Sequence, residues 1–292
     1  MEIIKFNSVS YDYPDGTNAL DNIDISIEEG SSIAILGGNG SGKSTLFLHC
    51  NGIYKPSKGE VYFKGEKIEY NKKSLFDLRK NIGIVFQNSD EQLFSSNVRN
   101  DILFGMKNLK LGEEEINKRF DIVVERTGVK DLLNKPTHAL SFGQKKRVAI
   151  AGVLAMQPSV IILDEPTAGL DPQGTSEILQ LITEIKKDLG ITIIFSTHEI
   201  DLVPLYCDKA IILNNGKIAY NGDLDYLWNN PKILRENNLR LPRIAHLMEI
   251  LSNKDGWDLK DNCPSISGAR VSLKSYMADI TLEQNEDFKL RK

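Results

Sequence analysis

Cysteine is too scarce here to organise a fold: Cys50, Cys207 and Cys263 are odd in number, far apart and without metal-ligand spacing. That excludes a disulfide scaffold and a cysteine-held metal centre, and reads as reduced cytosolic thiols, with Cys50 and Cys207 as small core residues. An excess of positive charge is missing too. The 36 Lys and Arg face 40 Asp and Glu for a formal charge of -4, which leaves no overall basic footprint for nucleic acid. No run approaches the roughly 20 apolar residues that a membrane helix needs; the apolar runs at 148–156 and 160–163 fall far short. The opening residues Met1-Glu2-Ile3-Ile4-Lys5-Phe6 alternate like a strand and carry no basic leader with an apolar core, so secretion is not expected. Internal repeats and low-complexity tracts are absent. What is present is ordinary globular composition, 41% hydrophobic and 26% charged over 292 residues, enough for a main domain plus a small one.

Along the chain, residues 32–36 form a short apolar run that ends at a glycine-rich loop, and 44–48 then read as a helix start. Further apolar runs at 160–163 and 191–195 flank a helical stretch around 176–187, which predicts a largely parallel sheet with covered faces. Residues 210–213 and 217–220, joined by Asn214-Asn215-Gly216, predict a hairpin near a sheet edge. Period-two alternation at 23–27, 61–63 and 68–70 predicts antiparallel strands with one wet face. Between 90 and 155 the pattern turns helical. Past Trp228 the character shifts again, and Ile244, Leu247, Met248 and Leu251 predict an amphipathic helix starting near Pro242. The polar stretch 281–292 is expected to fray. These shifts divide the chain into 1–229, with a helical subdomain at about 90–155, and a small C-terminal domain at 230–292.

The chemistry lies in a few segments. Gly37-Gly38-Asn39-Gly40-Ser41-Gly42-Lys43-Ser44 fits the phosphate-loop pattern G-x-x-x-x-G-K-[ST], and strand and helix flanks give it the right context. Backbone N–H groups of such a loop point inward around an anion at a helix N-terminus. Gly40 and Gly42 let that backbone come close, Lys43 reaches the outer phosphates, and Ser44 and the following Thr45 open the helix. Asp164 and Glu165 follow the apolar run at 160–163. A carboxylate there, beside a phosphate loop, suits a divalent cation, and its neighbour can polarise a water. Taken alone, acidic residues after a strand are usually just solvated. Leu140-Ser141-Phe142-Gly143-Gln144 opens a further helix and offers Ser141 and Gly143 to an anion. Taken alone, Ser141 is an ordinary N-cap.

These segments in this order, with Pro166-Thr167-Ala168-Gly169-Leu170-Asp171 after Glu165, resemble the ATP-binding-cassette ATPases over about residues 1 to 228. The resemblance implies an α/β fold of P-loop NTPase type: a RecA-like parallel-sheet core, an antiparallel β layer and an inserted helical subdomain. A small C-terminal α/β lobe is expected beside it. It implies ATP and Mg²⁺ as ligands, with residues 37–45, Ser141, Gly143 and Gln144 on the nucleotide and Ser44, Gln87 and Asp164 on the metal. It makes Glu165 the residue that activates water, Gln87 a sensor of the γ-phosphate and His198 the switch histidine. Tyr13 matches the aromatic that stacks on adenine, with Tyr11 as competitor. On their own, Gln87, His198 and Tyr13 read as a polar strand end, a structural histidine and a packing tyrosine.

Phe86-Gln87-Asn88-Ser89-Asp90-Glu91-Gln92-Leu93-Phe94 and residues 149–156 are similar to the ATPases of energy-coupling-factor importers, which take up vitamins and transition metals. Ser89 stands where that group usually has proline, and Phe142, in place of the commoner glycine, resembles the cobalt-importer branch. The resemblance implies two cassettes closing head to tail, this chain with itself or a homologue. It also implies an integral membrane coupling subunit, a substrate-binding membrane subunit and a place on the cytoplasmic face of the cell membrane. The C-terminal segment is expected to help the dimer form. Vitamin uptake and another transporter of the superfamily, an exporter included, stay open. A two-cassette translation factor, a coiled-coil DNA ATPase and a small-molecule kinase fit less well: one cassette is present, the interval from Lys43 to Ser141 has no room for a coiled coil, and a kinase would not need residues 140–144.

Overall fold

The computed structural model describes residues 1–259 and 263–290, with backbone alone from residue 279. Strands β1 (Glu2–Asp12) and β2 (Asn18–Glu28) pair antiparallel, and their buried and exposed residues roughly alternate, as one covered face demands. Strand β3 (Ser32–Leu36) is buried at every position and runs into the glycine-rich loop, from which helix α1 (Lys43–Cys50) departs. β4 (Lys58–Phe63) and the two-residue β5 (Glu66–Lys67) complete an antiparallel layer in the order β2-β1-β4-β5. Helix α2 (Lys72–Asn81) leads into β6 (Ile82–Val85). Next comes the helical lobe: α3 (Val98–Asn108), α4 (Glu113–Thr127) and α5 (Phe142–Leu154).

The chain then re-enters the sheet through β7 (Val160–Leu163), α6 (Pro172–Leu189), β8 (Thr192–Ser196), the one-turn α7 (Val203–Tyr206) and β9 (Lys209–Asn214). Strand β10 (Lys217–Asp223) closes the edge. The six-stranded sheet has the order β10-β9-β3-β8-β7-β6, parallel except for the β9–β10 hairpin that the sequence predicts. Helix α6 shows why local rules work here. Asp171 caps its start by accepting from Gly174 N, Pro172 follows, and Gly190 ends it in the left-handed conformation.

Strand β3 also shows how the core divides. Ile33 and Ile35 pack with the antiparallel layer and α1, whereas Ala34 and Leu36 pack with the helical lobe and α6. Covering both faces explains why this strand reads as a continuous apolar run, each full burial of a large side chain contributing about 1.5–3 kcal/mol. No described helix is long and apolar enough to cross a membrane.

Three expectations change. Residues 68–70 are not a strand: Ile68 N still donates to Val61 O at 2.8 Å, but the chain then leaves the sheet so that Asn71 can cap α2. Helix α8 (Leu224–Asn229) ends the main domain, and the C-terminal lobe is helical rather than α/β across its described residues, with α9 (Pro231–Glu236), α10 (Arg243–Asn253) and α11 (Ile266–Leu290). Helix α10 is the helix expected to start near Pro242, with Ala245 and Met248 fully buried and Leu247 47% exposed. The polar end, expected to fray, is helical through Leu290; Arg291 and Lys292 lie outside the described residues.

Leu234, Leu241 and Ala245 belong to the same buried cluster as the helical lobe and parallel sheet. Replacing Leu234 by Ala should therefore cost about 2–5 kcal/mol, read as an earlier single transition in chemical denaturation. A separate melt of the C-terminal lobe with the main transition unmoved would contradict the shared core.

Candidate functional site

Four neighbouring parallel strands, β3, β8, β7 and β6, end on the same edge of the sheet, the edge where open α/β sheets bind ligands. The glycine-rich loop leaves β3, His198 follows β8, Asp164 and Glu165 follow β7, and Gln87 follows β6. Residues more than a hundred positions apart are thereby placed together.

The loop itself is strained into shape by glycines. Gly37, Gly40 and Gly42 have φ of 147°, 72° and 105°, and a Cβ on Gly37 would lie 2.3 Å from Leu213 O, so no side chain fits there. Gly38, Asn39 and Gly40 are exposed at the tip, whereas the hydroxyl of Ser41 is buried with no partner. An orphaned polar group in such a loop fits an anion-binding role. Lys43 is 7% exposed and its Nζ donates to Gly37 O and Gly38 O, both at 2.9 Å. Burial pulls its pKa down, opposed by the charges of Glu165 and Asp164.

Asp164 is the hub of the carboxylate side. Ser44 Oγ donates to its Oδ2 at 2.8 Å and Ser196 Oγ to its Oδ1 at 2.6 Å. The same Ser196 Oγ accepts from Glu165 N at 3.0 Å. Glu165 has a φ of 44°, a costly left-handed conformation for a residue with a side chain, which such surrounding bonds sustain. Its Oε1 lies 2.7 Å from His198 Nε2, and its Oε2 accepts from Gln87 Nε2 at 3.0 Å. Gln87, Glu165 and His198 are therefore joined directly, and Ser44 and Asp164 sit beside them.

The loop that opens α5 stands apart. Ser141 caps α5, and its side chain and that of Gln144 form a capping box, Gln144 N to Ser141 Oγ at 3.4 Å and Ser141 N to Gln144 Oε1 at 3.1 Å. Among the described residues no hydrogen bond joins this box to the phosphate loop. Phe142 is 58% exposed and turns toward Gly169, leaving Ser141 and Gly143 uncovered by its ring. Tyr13 and Tyr11 differ in their surroundings. Tyr13 shares a 2.8 Å hydrogen bond with Thr45 in the first turn of α1, whereas Tyr11 is stacked on Tyr54 at 5.0 Å and edge-on to the buried His49.

Three residues take parts that the sequence reading does not assign them. Ser196 clamps both acidic residues, but a serine at a strand end has no pattern to announce it. Gln92 uses its amide like a backbone: Oε1 accepts from Phe86 N at 3.1 Å and Nε2 donates to Ile84 O at 3.0 Å. Lys146 looks like a solvated helix lysine, yet it is 2% exposed and its Nζ donates to Phe86 O at 2.9 Å and Gln87 O at 2.8 Å. Burial brings its pKa down to about 8 despite the opposing charges of Asp164 and Glu165.

A glycine-lined anion loop, a lysine and paired carboxylates at the sheet's carboxyl edge define a phosphate-loop nucleoside triphosphatase. The sequence model of the ABC transporter family matches residues 20–168. The chain is 53% identical to the energy-coupling factor transporter ATP-binding protein EcfA2 of Clostridium perfringens over 94% of this chain and 96% of that one. It is 51% identical to the energy-coupling factor transporter ATP-binding protein EcfA of Methanocaldococcus jannaschii, over 96% and 99%. Among solved structures it is similar to CbiO1 of Clostridium perfringens, described as part of the ABC transporter complex CbiONQ, with 55% identity, a TM-score of 0.74 and coverage of 85% and 99%. A dimeric ATP-binding cassette in a post-hydrolysis state with ADP and Pi is 31% identical, with a TM-score of 0.68 and coverage of 76% and 99%. The chain belongs to the ABC transporter family, as an ATPase of the energy-coupling-factor ATP-binding group.

If Ser196 holds the acidic pair in place, Ser196→Ala should lower ATP turnover by roughly tenfold, the scale of one lost hydrogen bond to a charged group. Phosphate release by the variant at the wild-type rate would show that the clamp is dispensable.

Proposed function

We propose that this chain is the ATP-hydrolysing subunit of an energy-coupling-factor importer, working in a head-to-tail pair at the cytoplasmic face of the membrane. The observation that carries the reading is a split site. One face gathers the phosphate loop, Asp164, Glu165, Gln87 and His198, while Ser141 and Gly143 offer a second anion contact bonded to none of them. Closure of two chains, identical or homologous, would place Ser141 and Gly143 of one over the nucleotide held by Lys43 of the other. The likeness to a dimeric cassette with ADP and Pi supports that arrangement.

Within one half-site the roles follow from position. Residues 37–45 surround the phosphates, Tyr13 offers its ring to the base, and Gln144 braces Ser141. Ser44, Asp164 and Gln87 present side-chain oxygens, the hard donors that Mg²⁺ takes. Mg²⁺, when bound, neutralises charge on the outer phosphates. Glu165 is placed to activate the attacking water, with Gln87 and His198 steadying its two oxygens.

A membrane partner fits an apolar groove of about 300 Å³ beside the Gln87 loop, lined by Phe76, Leu93, Phe94, Phe104 and Met156. Phe94 is 64% exposed there, a large ring with little protein cover. An integral coupling subunit docked on this groove, together with a substrate-binding membrane subunit, completes the proposed importer. Phe142 in the second anion loop supports cobalt or another transition metal as cargo, since that residue resembles the cobalt-importer branch.

Glu165→Gln should reduce phosphate release by ~10²–10⁴-fold while ATP binding persists and ATP holds the closed pair together in gel filtration. Hydrolysis at the wild-type rate would remove Glu165 from its role. Purified from membranes, the wild-type chain should bring small integral membrane proteins with it; recovery with ribosomes or DNA would overturn the importer reading.

A further inference from the structure

Strand β6 lies at the end of the parallel sheet, so the Gln87 loop that leaves it has a neighbouring strand on one side only. Side chains take over on the other. Gln92 holds the N–H of Phe86 from within the loop, and Lys146 holds the carbonyls of Phe86 and Gln87 from helix α5. An ammonium that is 2% exposed is costly to bury, and here neither hydrogen-bond partner is a carboxylate. An apolar residue would fill the same helix position at no such cost.

We propose that Lys146 is a positioning residue that fixes the Gln87 loop to helix α5, so that Gln87 moves with the second anion loop. This deepens the ATPase reading above and rests on it. The path of contacts is continuous. Ser141 and Gly143 sit at the start of α5, Lys146 lies on the next turn of the same helix, its Nζ grips the Gln87 backbone, and the Gln87 side chain reaches Glu165. In a head-to-tail pair the two ends of this path face different nucleotides. A shift of α5 on engaging one nucleotide would thus reach the carboxylate that acts on the other.

The test is a double-mutant cycle on the chain purified with its accompanying membrane subunits. Lys146→Met should lower kcat about tenfold, the scale of lost charge-assisted hydrogen bonds, with KM for ATP within about threefold of wild type. Lys146→Arg should recover most of that loss, since guanidinium N–H groups can reach both carbonyls. Once Gln87 is Ala, Lys146→Met should cause no further loss of kcat, because the path already ends there. An equal loss in both backgrounds would mean a merely structural lysine and would overturn the proposal while leaving the ATPase reading intact. Should Lys146→Met not fold, Lys146→Gln, a neutral donor on a shorter stem, enters the same cycle with the same expected outcomes. Absence of ATP hydrolysis by the wild type would overturn the reading and this inference together.

Discussion

Parallel pairing of β7 between β6 and β8 is the constraint on which the rest depends. Its register sets Leu163 opposite both Val85 and Phe195, so β6 and β7 end at one level and β8 runs one residue further, to Ser196. One residue past that level the chain places Asp164, and the next is Glu165. A slip in register would turn each strand's side chains to the opposite face and break up the grouping of Asp164, Ser196 and Glu165. The two cores that hold the sheet from either side therefore fix the geometry of the acidic pair, although none of their residues touches it as an acid or base. Function depends here on the precision of packing more than on its total strength.

Much of this was legible in the sequence because it rests on short-range rules. Fully apolar runs announced the buried strands, the helical pattern around 176–187 announced α6, and Gly37 through Ser44 declared the phosphate loop by its spacing. What was not legible depends on contacts between distant elements. Lys146 has the local signature of a solvated lysine, and only the packing of α5 against the Gln87 loop buries it. Ser196 owes its part to strand register, which single residues do not encode. Residues 68–70 alternate properly for a strand, but Asn71 had a helix to cap, and the cap prevailed.

The capping box at Ser141 sharpens the idea of a split site. In this chain alone, the groups that would meet a phosphate already bond one another, Ser141 with Gln144 in both directions. Their 3.4 Å bond from Gln144 N is long, so an incoming anion displaces little. Phe142 lies over Gly169 rather than over the helix end. A bulky ring is thus compatible with anion contact through its two neighbours, which reconciles this residue with a loop that usually carries glycine there.

Local costs gather around the same few residues: Glu165 in a left-handed conformation, Ser41 with an orphaned hydroxyl, Lys43 and Lys146 as buried ammonium groups. Each is unfavourable by about 1–3 kcal/mol or more when taken alone. An anion held by the loop would answer the cost at Lys43, whose ammonium already bonds the loop carbonyls of Gly37 and Gly38. The burial of Lys146 has a different explanation, since its partners are backbone carbonyls and an anion in the loop would not change them. The costs therefore separate into those that a bound anion would relieve and the one at Lys146 that it would leave unchanged. The second kind is what a link between moving parts requires: it must remain in place while the site around it fills and empties.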